Sequence, residues 1–349
     1  MPMRINNRRH NATVAKIRAM YGKRLSAEDY AQLASYDSVS EIAEYLKKNT
    51  HYGKTLASVD TVMIHRGLLE SLLRRHNFET YFRITDFENI GRTEFYNHMI
   101  IEAEVDVILS CLRYINAKSD SQITELPIYI NRYASFDLIE IAKIRSFDEL
   151  LVFLKKTPYY DVLKDERADA NGRVDFSVCE IKLRTYLIGR IEKAVSGYGR
   201  KEADSINSMI LTDVDLINVI NAYRMTAFFG ENEEEIEKIM LPFSGRLSAA
   251  KQREIYSAPD EAEFIRRFSK TYYGRLVEEM GCNMNDLERN ANLLRLKYAK
   301  LALKTSSSAA VSVYSFMYLR GIELRNIISI IEGVRYGVPS KEIEELLVI

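Results

Sequence analysis

Apolar residues recur along the chain at three- and four-residue intervals, the period of a helix. Val14, Ile17, Met20 and Tyr21 open the pattern, and Tyr30 and Leu33 continue it beyond a break near Gly22. Val62, Leu68, Leu69, Leu72, Leu73, Phe78, Tyr81 and Phe82 predict a long amphipathic helix, with a break at Gly91. From about Phe95 to Ile115 the residues Ile101, Val105, Ile108, Leu112 and Ile115 fall on one face. Four more long helices are predicted: from Asp175 through Ile191, over Ile206–Tyr223, over Asp286–Leu303, and through Leu319 to Glu332. Gly197-Tyr198-Gly199 reads as a turn, and Thr305-Ser306-Ser307-Ser308 as a loosened tract before the last helix. The expected fold class is all-α.

Between the long helices lie three similar short ones, at Ser40–Tyr52, Ser146–Tyr160 and Pro259–Tyr273. Each opens on a small or acidic cap, carries an apolar stripe, then a basic pair (Lys47/Lys48, Lys155/Lys156, Arg266/Arg267), and ends on Thr and Tyr. A cap oxygen satisfies the free N–H groups of the first turn, and cations suit the negative end of the helix dipole, so those basic pairs are read as charge compensation. Contact with lipid headgroups or acidic partner loops is the lesser reading.

The short helices mark a repeat. Glu41, Glu149 and Glu261 occupy similar places (149 − 41 = 108; 261 − 149 = 112), as do Asp106, Asp215 and Glu323 in the last helix of each cycle (215 − 106 = 109; 323 − 215 = 108). In the second and third cycles the acid is followed three residues on by Asn218 and Asn326, where the first has Leu109. Arg246-Leu247-Ser248-Ala249 repeats Arg24-Leu25-Ser26-Ala27. A unit of this size exceeds the roughly 20–50 residues of a solenoid repeat and is the size of a domain. We expect three helical repeat domains, 1–126, 127–241 and 242–349, set in a row or closed into a pseudo-three-fold ring.

Composition narrows the function. The 349 residues hold 49 Lys+Arg and 49 Asp+Glu, so the basic excess of a nucleic-acid binder is lacking. Three scattered cysteines, Cys111, Cys179 and Cys282, fit a reducing compartment and no disulfide framework. The longest uncharged run, Thr305–Leu319 (319 − 305 + 1 = 15), falls short of the roughly 20 apolar residues of a membrane span. Met1–His10, with Arg4, Arg8 and Arg9, lacks the apolar centre of a signal peptide. A cytoplasmic protein without a membrane span is expected.

Candidate chemistry is sparse. Gly53-Lys54-Thr55 hints at a phosphate loop, but Lys48 stands where that motif needs glycine, and a helix-end turn is the better reading. His10, His51, His65, His76 and His98 lack metal-ligand spacing and are read as surface or capping residues. Asp106, Asp215 and Glu323 are read as structural carboxylates bonded to backbone or to a basic neighbour, in preference to catalytic acids. Acids facing a ring-shaped centre are the minority reading. Glu231-Asn232-Glu233-Glu234-Glu235 is an acidic cluster opening a helix, solvated or a docking patch. No catalytic, cofactor-binding or metal-binding residue is assigned, and no cofactor is expected.

Thr13-Val14-Ala15-Lys16-Ile17-Arg18-Ala19-Met20, the short helices ending in Thr-x-Tyr or Thr-Tyr-Tyr, Leu241-Pro242, and Glu323-Leu324-Arg325-Asn326-Ile327-Ile328 resemble the C subunits of the prokaryotic V-type/A-type ATPases, whose eukaryotic counterpart is the d subunit. The resemblance covers essentially the whole chain. It implies three similar helical domains in a pseudo-three-fold, funnel-shaped arrangement. It also implies a non-catalytic place in the central rotor, as a monomer within a hetero-oligomeric complex at the cytoplasmic side of the membrane. Its partners would be the D and F subunits of the central shaft and the proteolipid ring, with torque passing between them during ATP-coupled proton or sodium transport. Leu109 departs from the expected Asn, so the last helix of the first domain is expected to pack differently. The rival readings are an all-helical adaptor or scaffold unrelated to the ATPase and a helical enzyme.

Overall fold

A computed structural model describes residues 11–87, 94–118, 126–230 and 232–349 in full, and the backbone alone of 7–10 and 88. Arg4, Gly91, Glu231 and the side chains of Arg8, Arg9 and His10 therefore lie outside the described residues. The described chain is helical, with no strand among the described residues. In order the helices are α1 (Asn7–Tyr21), α2 (Ala27–Ala34), α3 (Val39–Asn49), α4 (Gly53–Leu56), α5 (Arg66–Glu88) and α6 (His98–Ala117). There follow α7 (Leu138–Ile141), α8 (Phe147–Leu154), α9 (Pro158–Leu163), α10 (Phe176–Val195), α11 (Arg200–Arg224) and α12 (Glu233–Lys238). The last six are α13 (Ala249–Tyr256), α14 (Glu261–Ser269), α15 (Tyr272–Glu279), α16 (Leu287–Thr305), α17 (Ala309–Arg335) and α18 (Ser340–Leu346).

The repeat is written in the caps. Ser38, Ser146 and Asp260 each accept the backbone N–H three residues on and start α3, α8 and α14. The first short helix thus begins two residues earlier than its sequence suggests, and the Ser40 hydroxyl instead donates to the Thr61 carbonyl (2.7 Å). Glu263, three past its cap, is the structural counterpart of Glu41 and Glu149. Glu261 sits at the start of its helix and accepts the Tyr223 hydroxyl (2.6 Å). Ser26 and Ser248 cap α2 and α13, as their matching sequences suggest, and Asp137 does so for α7.

The Thr-x-Tyr ends turn out to be beginnings. Thr157 and Thr271 precede a second short helix, and Tyr159 and Tyr273 lie in its first turn. In the first cycle Tyr52 directly precedes the single turn α4. Gly53 and Gly274 follow the tyrosine because the chain doubles back too tightly for a side chain. A Cβ would lie 2.5 Å from the Lys47 carbonyl oxygen at the first and 2.3 Å from that of Phe268 at the second. Gly53-Lys54-Thr55 is therefore a close helix–helix turn, as expected, and its glycine is required by backbone proximity.

The chain divides into two compact units, one of residues 1–91 with 288–349 and one of 92–287. In the first, α17 packs on α1 and α5, and α18 packs on α2 and α17. Its core joins Leu25, Leu33, Ile42, Leu46, Leu56 and Leu69 with Leu324, Ile327, Ile331, Ile343 and Leu347, so segments from opposite ends of the chain share one apolar interior. Arg18 on α1 donates to the carbonyls of Leu303 (3.1 Å), Lys304 (2.9 Å) and Ser306 (2.8 Å), capping the free end of α16. In the second unit α6 lies along α10, and Gly197-Tyr198-Gly199 turns the chain into α11.

Candidate functional site: three buried carboxylate nodes

Four carboxylates are buried among the described residues: Glu70, which pairs with Arg66 (2.6 Å), and Glu104, Asp215 and Glu323, one per cycle, which bond backbone and tyrosine. On α11, fully buried Asp215 accepts the backbone N–H groups of Gly245 (2.9 Å), Arg246 (2.8 Å) and Leu247 (3.0 Å) and the hydroxyl of Tyr273 (2.9 Å). Gly245 has to be glycine, because a Cβ would lie 2.8 Å from the Asp215 carboxylate. One turn on, the Asn218 amide bonds both backbone groups of Leu241, accepting at 2.9 Å and donating at 3.0 Å.

On α17 the same construction recurs. Glu323 accepts the N–H of Leu25 (2.9 Å) and the hydroxyl of Tyr52 (3.1 Å), and Asn326 bonds the N–H (3.1 Å) and carbonyl (2.9 Å) of Val348. This node adds charge. Arg320, buried, pairs with Glu323 and donates to Asn77 Oδ1 (2.8 Å), and His51 Nε2 lies 2.9 Å from the carboxylate. Burial pushes the Glu323 pKa up, but the His51 bond, the Arg320 charge and the Leu25 N–H together hold it below the usual carboxylate value. Burial also lowers His51 against the pull of Glu323, and burial with the Arg320 charge pushes His76 down to about 3. His76 Nδ1 lies 2.6 Å from the Thr55 hydroxyl.

The first-cycle node is built on Glu104, not Asp106. Buried Glu104 on α6 accepts the Ser135 N–H and the Tyr159 hydroxyl (2.5 Å). Asp106, two residues on, is exposed, with Arg184 Nη2 at 3.8 Å. Helical phase separates them: Glu104 is three residues from Ile101 and four from Ile108, on the apolar stripe, whereas Asp106 is rotated off it. Leu109 is fully buried, and the backbone clasp made elsewhere by Asn218 and Asn326 is made here by Asn116. Near the end of α6 its amide bonds the N–H (3.0 Å) and carbonyl (2.8 Å) of Val174. The nodal tyrosines Tyr52, Tyr159 and Tyr273 carry a sequence signal, the second place after each Thr, but only the structure gives them a role.

Each node fastens the last long helix of one cycle to the short helices of the next: Glu104 to residues after 127, Asp215 to residues after 242, and Glu323 back to the first cycle. Chemically they are anchors. Their carboxylates are occupied by N–H and O–H donors from folded backbone and from tyrosine, as buried acids require. Of the histidines read as surface or capping residues, His76 and His98 are buried and His51 is half-buried: His51 and His76 lie beside the Glu323 node, and His98, pushed down to about 4 by burial, has Nδ1 2.6 Å from the Phe95 carbonyl. His65 caps α5 through Nδ1, as expected, accepting the Leu68 N–H (3.2 Å). No group of His, Cys, Asp and Glu among the described residues is arranged to hold a metal ion. The basic pairs are partly engaged: Lys48 pairs with Glu44 (2.7 Å), Lys47 donates to the Val59 carbonyl (2.8 Å), and Arg266 and Arg267 both clamp Glu263. No described helix is long and apolar enough to cross a membrane.

The three node carboxylates, Glu104, Asp215 and Glu323, fall within residues 13–346, which match the model of the ATP synthase (C/AC39) subunit family. The chain belongs to that family. Among curated relatives, the C subunit of the A-type ATP synthase of Methanosphaera stadtmanae is 22% identical, over 95% of this chain and 86% of the relative. That of Archaeoglobus fulgidus is 21% identical over 96% and 95%, and that of Methanosarcina mazei 22% identical over 96% and 92%. The matched range takes in residues of both units.

Proposed function

We propose that this C/AC39 chain is a non-catalytic connector in the central stalk of a rotary A/V-type ATPase. It links the D and F subunits of the shaft to the proteolipid rotor ring and carries torque during ATP-coupled proton or sodium transport. The family match over residues 13–346 carries the reading. The nodes support it physically. A torque-bearing part must resist shear between its helices, and buried multidentate bonds from Glu104, Asp215 and Glu323 resist shear better than apolar contact, which is non-directional. The same bonds run from the first cycle to the second, the second to the third, and the third to the first. We read the chain as three domains (1–126, 127–241 and 242–349) in the pseudo-three-fold, funnel-shaped arrangement that the resemblance implies. The chain would act as a monomer within the hetero-oligomeric complex, on the cytoplasmic side and peripheral to the membrane through the ring.

Affinity purification of the tagged chain from its native cell tests this. Co-purification of D, F and the proteolipid is the expected result, and a stable complex without them would point to an unrelated helical adaptor. The isolated chain should show no nucleotide turnover above background; turnover abolished by a single substitution would overturn the non-catalytic assignment.

A further inference from the structure

The three cycles differ by one residue at a place the sequence does not announce. Each node-bearing long helix closes on a residue in left-handed conformation: Lys118 (φ 50°), Gly230 (φ 64°) and Gly337 (φ 68°). Counted from the node acid, that residue lies 14 places on in the first and third cycles (118 − 104; 337 − 323) but 15 in the second (230 − 215). The extra residue is taken up in a single π turn, Met225–Phe229, continuing α11. Such a turn is a one-residue insertion into an α-helix, and insertions of this kind are frequent at functional sites.

What the insertion presents is aromatic. Phe228 and Phe229 are each 70% exposed. The place before the left-handed residue is Phe229 here, exposed Tyr336 in the third cycle and Ala117 in the first, so the second cycle alone carries an adjacent aromatic pair. One ring is held in place: Tyr223 meets Phe228 edge-on (6.1 Å between centroids) and is itself fixed by its bond to Glu261 and by its contact with Phe264 (5.7 Å). Acids follow the pair along the chain: Glu233, Glu234 and Glu235 stand in the first turn of α12, where Glu235 pairs with Lys238 (2.6 Å), and Glu261, at the start of α14, holds the Tyr223 hydroxyl; Arg224 is the basic residue in the last turn of α11. Pre-oriented aromatics within a charged rim are the usual anchors of a protein interface.

We infer that the Phe228–Phe229 turn is a docking knob for an amphipathic helix of another subunit of the same ATP synthase, one with an apolar stripe flanked by Lys or Arg. The acidic rim selects that occupant. It repels anionic lipid headgroups, and a two-fold pair of copies would set the Glu233–Glu234 rim against itself. The inference rests on membership of a multi-subunit synthase and not on which subunits the connector joins.

The test is a photo-crosslinking amino acid at position 229 in the intact, purified synthase, with mass spectrometry of the product. A cross-link to a helix of another subunit bearing Lys or Arg beside apolar residues is expected. A cross-link to lipid, to a second copy of this chain, or none at all overturns the inference. Phe228→Ser with Phe229→Ser should lower the fraction of chain retained in the synthase by at least about tenfold, the size of effect anchors of this kind carry. The melting temperature of the isolated chain should stay unchanged. Glu233→Lys with Glu234→Lys should also lower retention, and wild-type retention in either double variant contradicts the knob. A cross-link to a stator subunit would sink the rotor reading while leaving this one standing.

Discussion

Glu323→Gln keeps the shape of the third-cycle node and removes its charge, leaving the buried Arg320 guanidinium without a counter-ion. Removing one partner of a buried pair costs about 3 kcal/mol or more, so urea unfolding should show a loss of that order. Asp106→Asn, at the exposed acid of α6, should stay within about 0.5 kcal/mol of the parent. A matching loss for both would mean that burial does not decide which acids matter. The contrast also shows how far the sequence can be read at this scale. Asp215 and Glu323 are recognisable as acids inside apolar helices. Glu104 is hidden by Asp106, because repeat spacing selects Asp106 whereas helical phase selects Glu104. The burial of His76 and His98 has no local signal, since it depends on what other segments lay over them.

Among the short helices, the tight doubling-back makes glycine a requirement of geometry. Gly53→Ala and Gly274→Ala each drive a methyl into a carbonyl oxygen, and thermal unfolding should register a loss of about 1–3 kcal/mol for each. Gly189→Ala, inside α10 with nothing within 4 Å of its Cβ, should instead stabilise by about 0.5–1 kcal/mol. Loss at 189 or neutrality at 53 would break the distinction between close approach and unused freedom. Elements of this kind are largely legible. Periodicity locates the long helices, and the Ser146 and Asp260 caps are visible as such. The boundaries missed are those set by tertiary bonds. Val62 continues the apolar period of α5 but lies outside it, because the Thr61 hydroxyl bonds Glu44 and its carbonyl bonds Ser40, holding that segment as a loop. The π turn of the second cycle leaves no mark in composition at all; only the left-handed endings, compared between cycles, disclose it.

For the whole molecule, the buried histidines predict the response to acid. His76 and His98, held down to about 3 and about 4 by burial, stay neutral in the folded chain at pH values where the unfolded chain, near 6.5, takes up protons. The unfolded state then binds more protons, so stability falls as pH drops below about 6.5, by up to about 1.4 kcal/mol per pH unit for each histidine. Glu323, lowered when folded, adds to the loss further down: its contribution is full above the unfolded carboxyl value near 4.3 and disappears as pH falls through its folded value. Urea midpoints between pH 7 and pH 5 should decline, and His98→Gln should flatten the decline; an unchanged slope contradicts the assignment. The shared core of residues 1–91 and 288–349 makes a second demand. Leu25 and Tyr52 bond Glu323, Arg18 caps α16, Arg66 pairs with Glu332, and Leu33 and Leu46 lie in one interior with Ile327 and Leu347. A chain truncated after Leu287 therefore leaves the first 88 residues with the apolar faces of α2, α3 and α5 uncovered. Hydrogen exchange should show protection lost throughout α2–α5 while α6–α11 keep theirs; retained protection in α3 and α5 would mean that the N-terminal helices fold on their own. Order along the chain is not what this core needs, only the presence of both segments. A permuted chain with 288–349 placed ahead of residue 7 through a flexible linker, and residue 287 as its new end, should regain that protection. Failure of the permutant alongside success of the intact chain would locate the requirement in the covalent link between Leu287 and Glu288 rather than in the nodes.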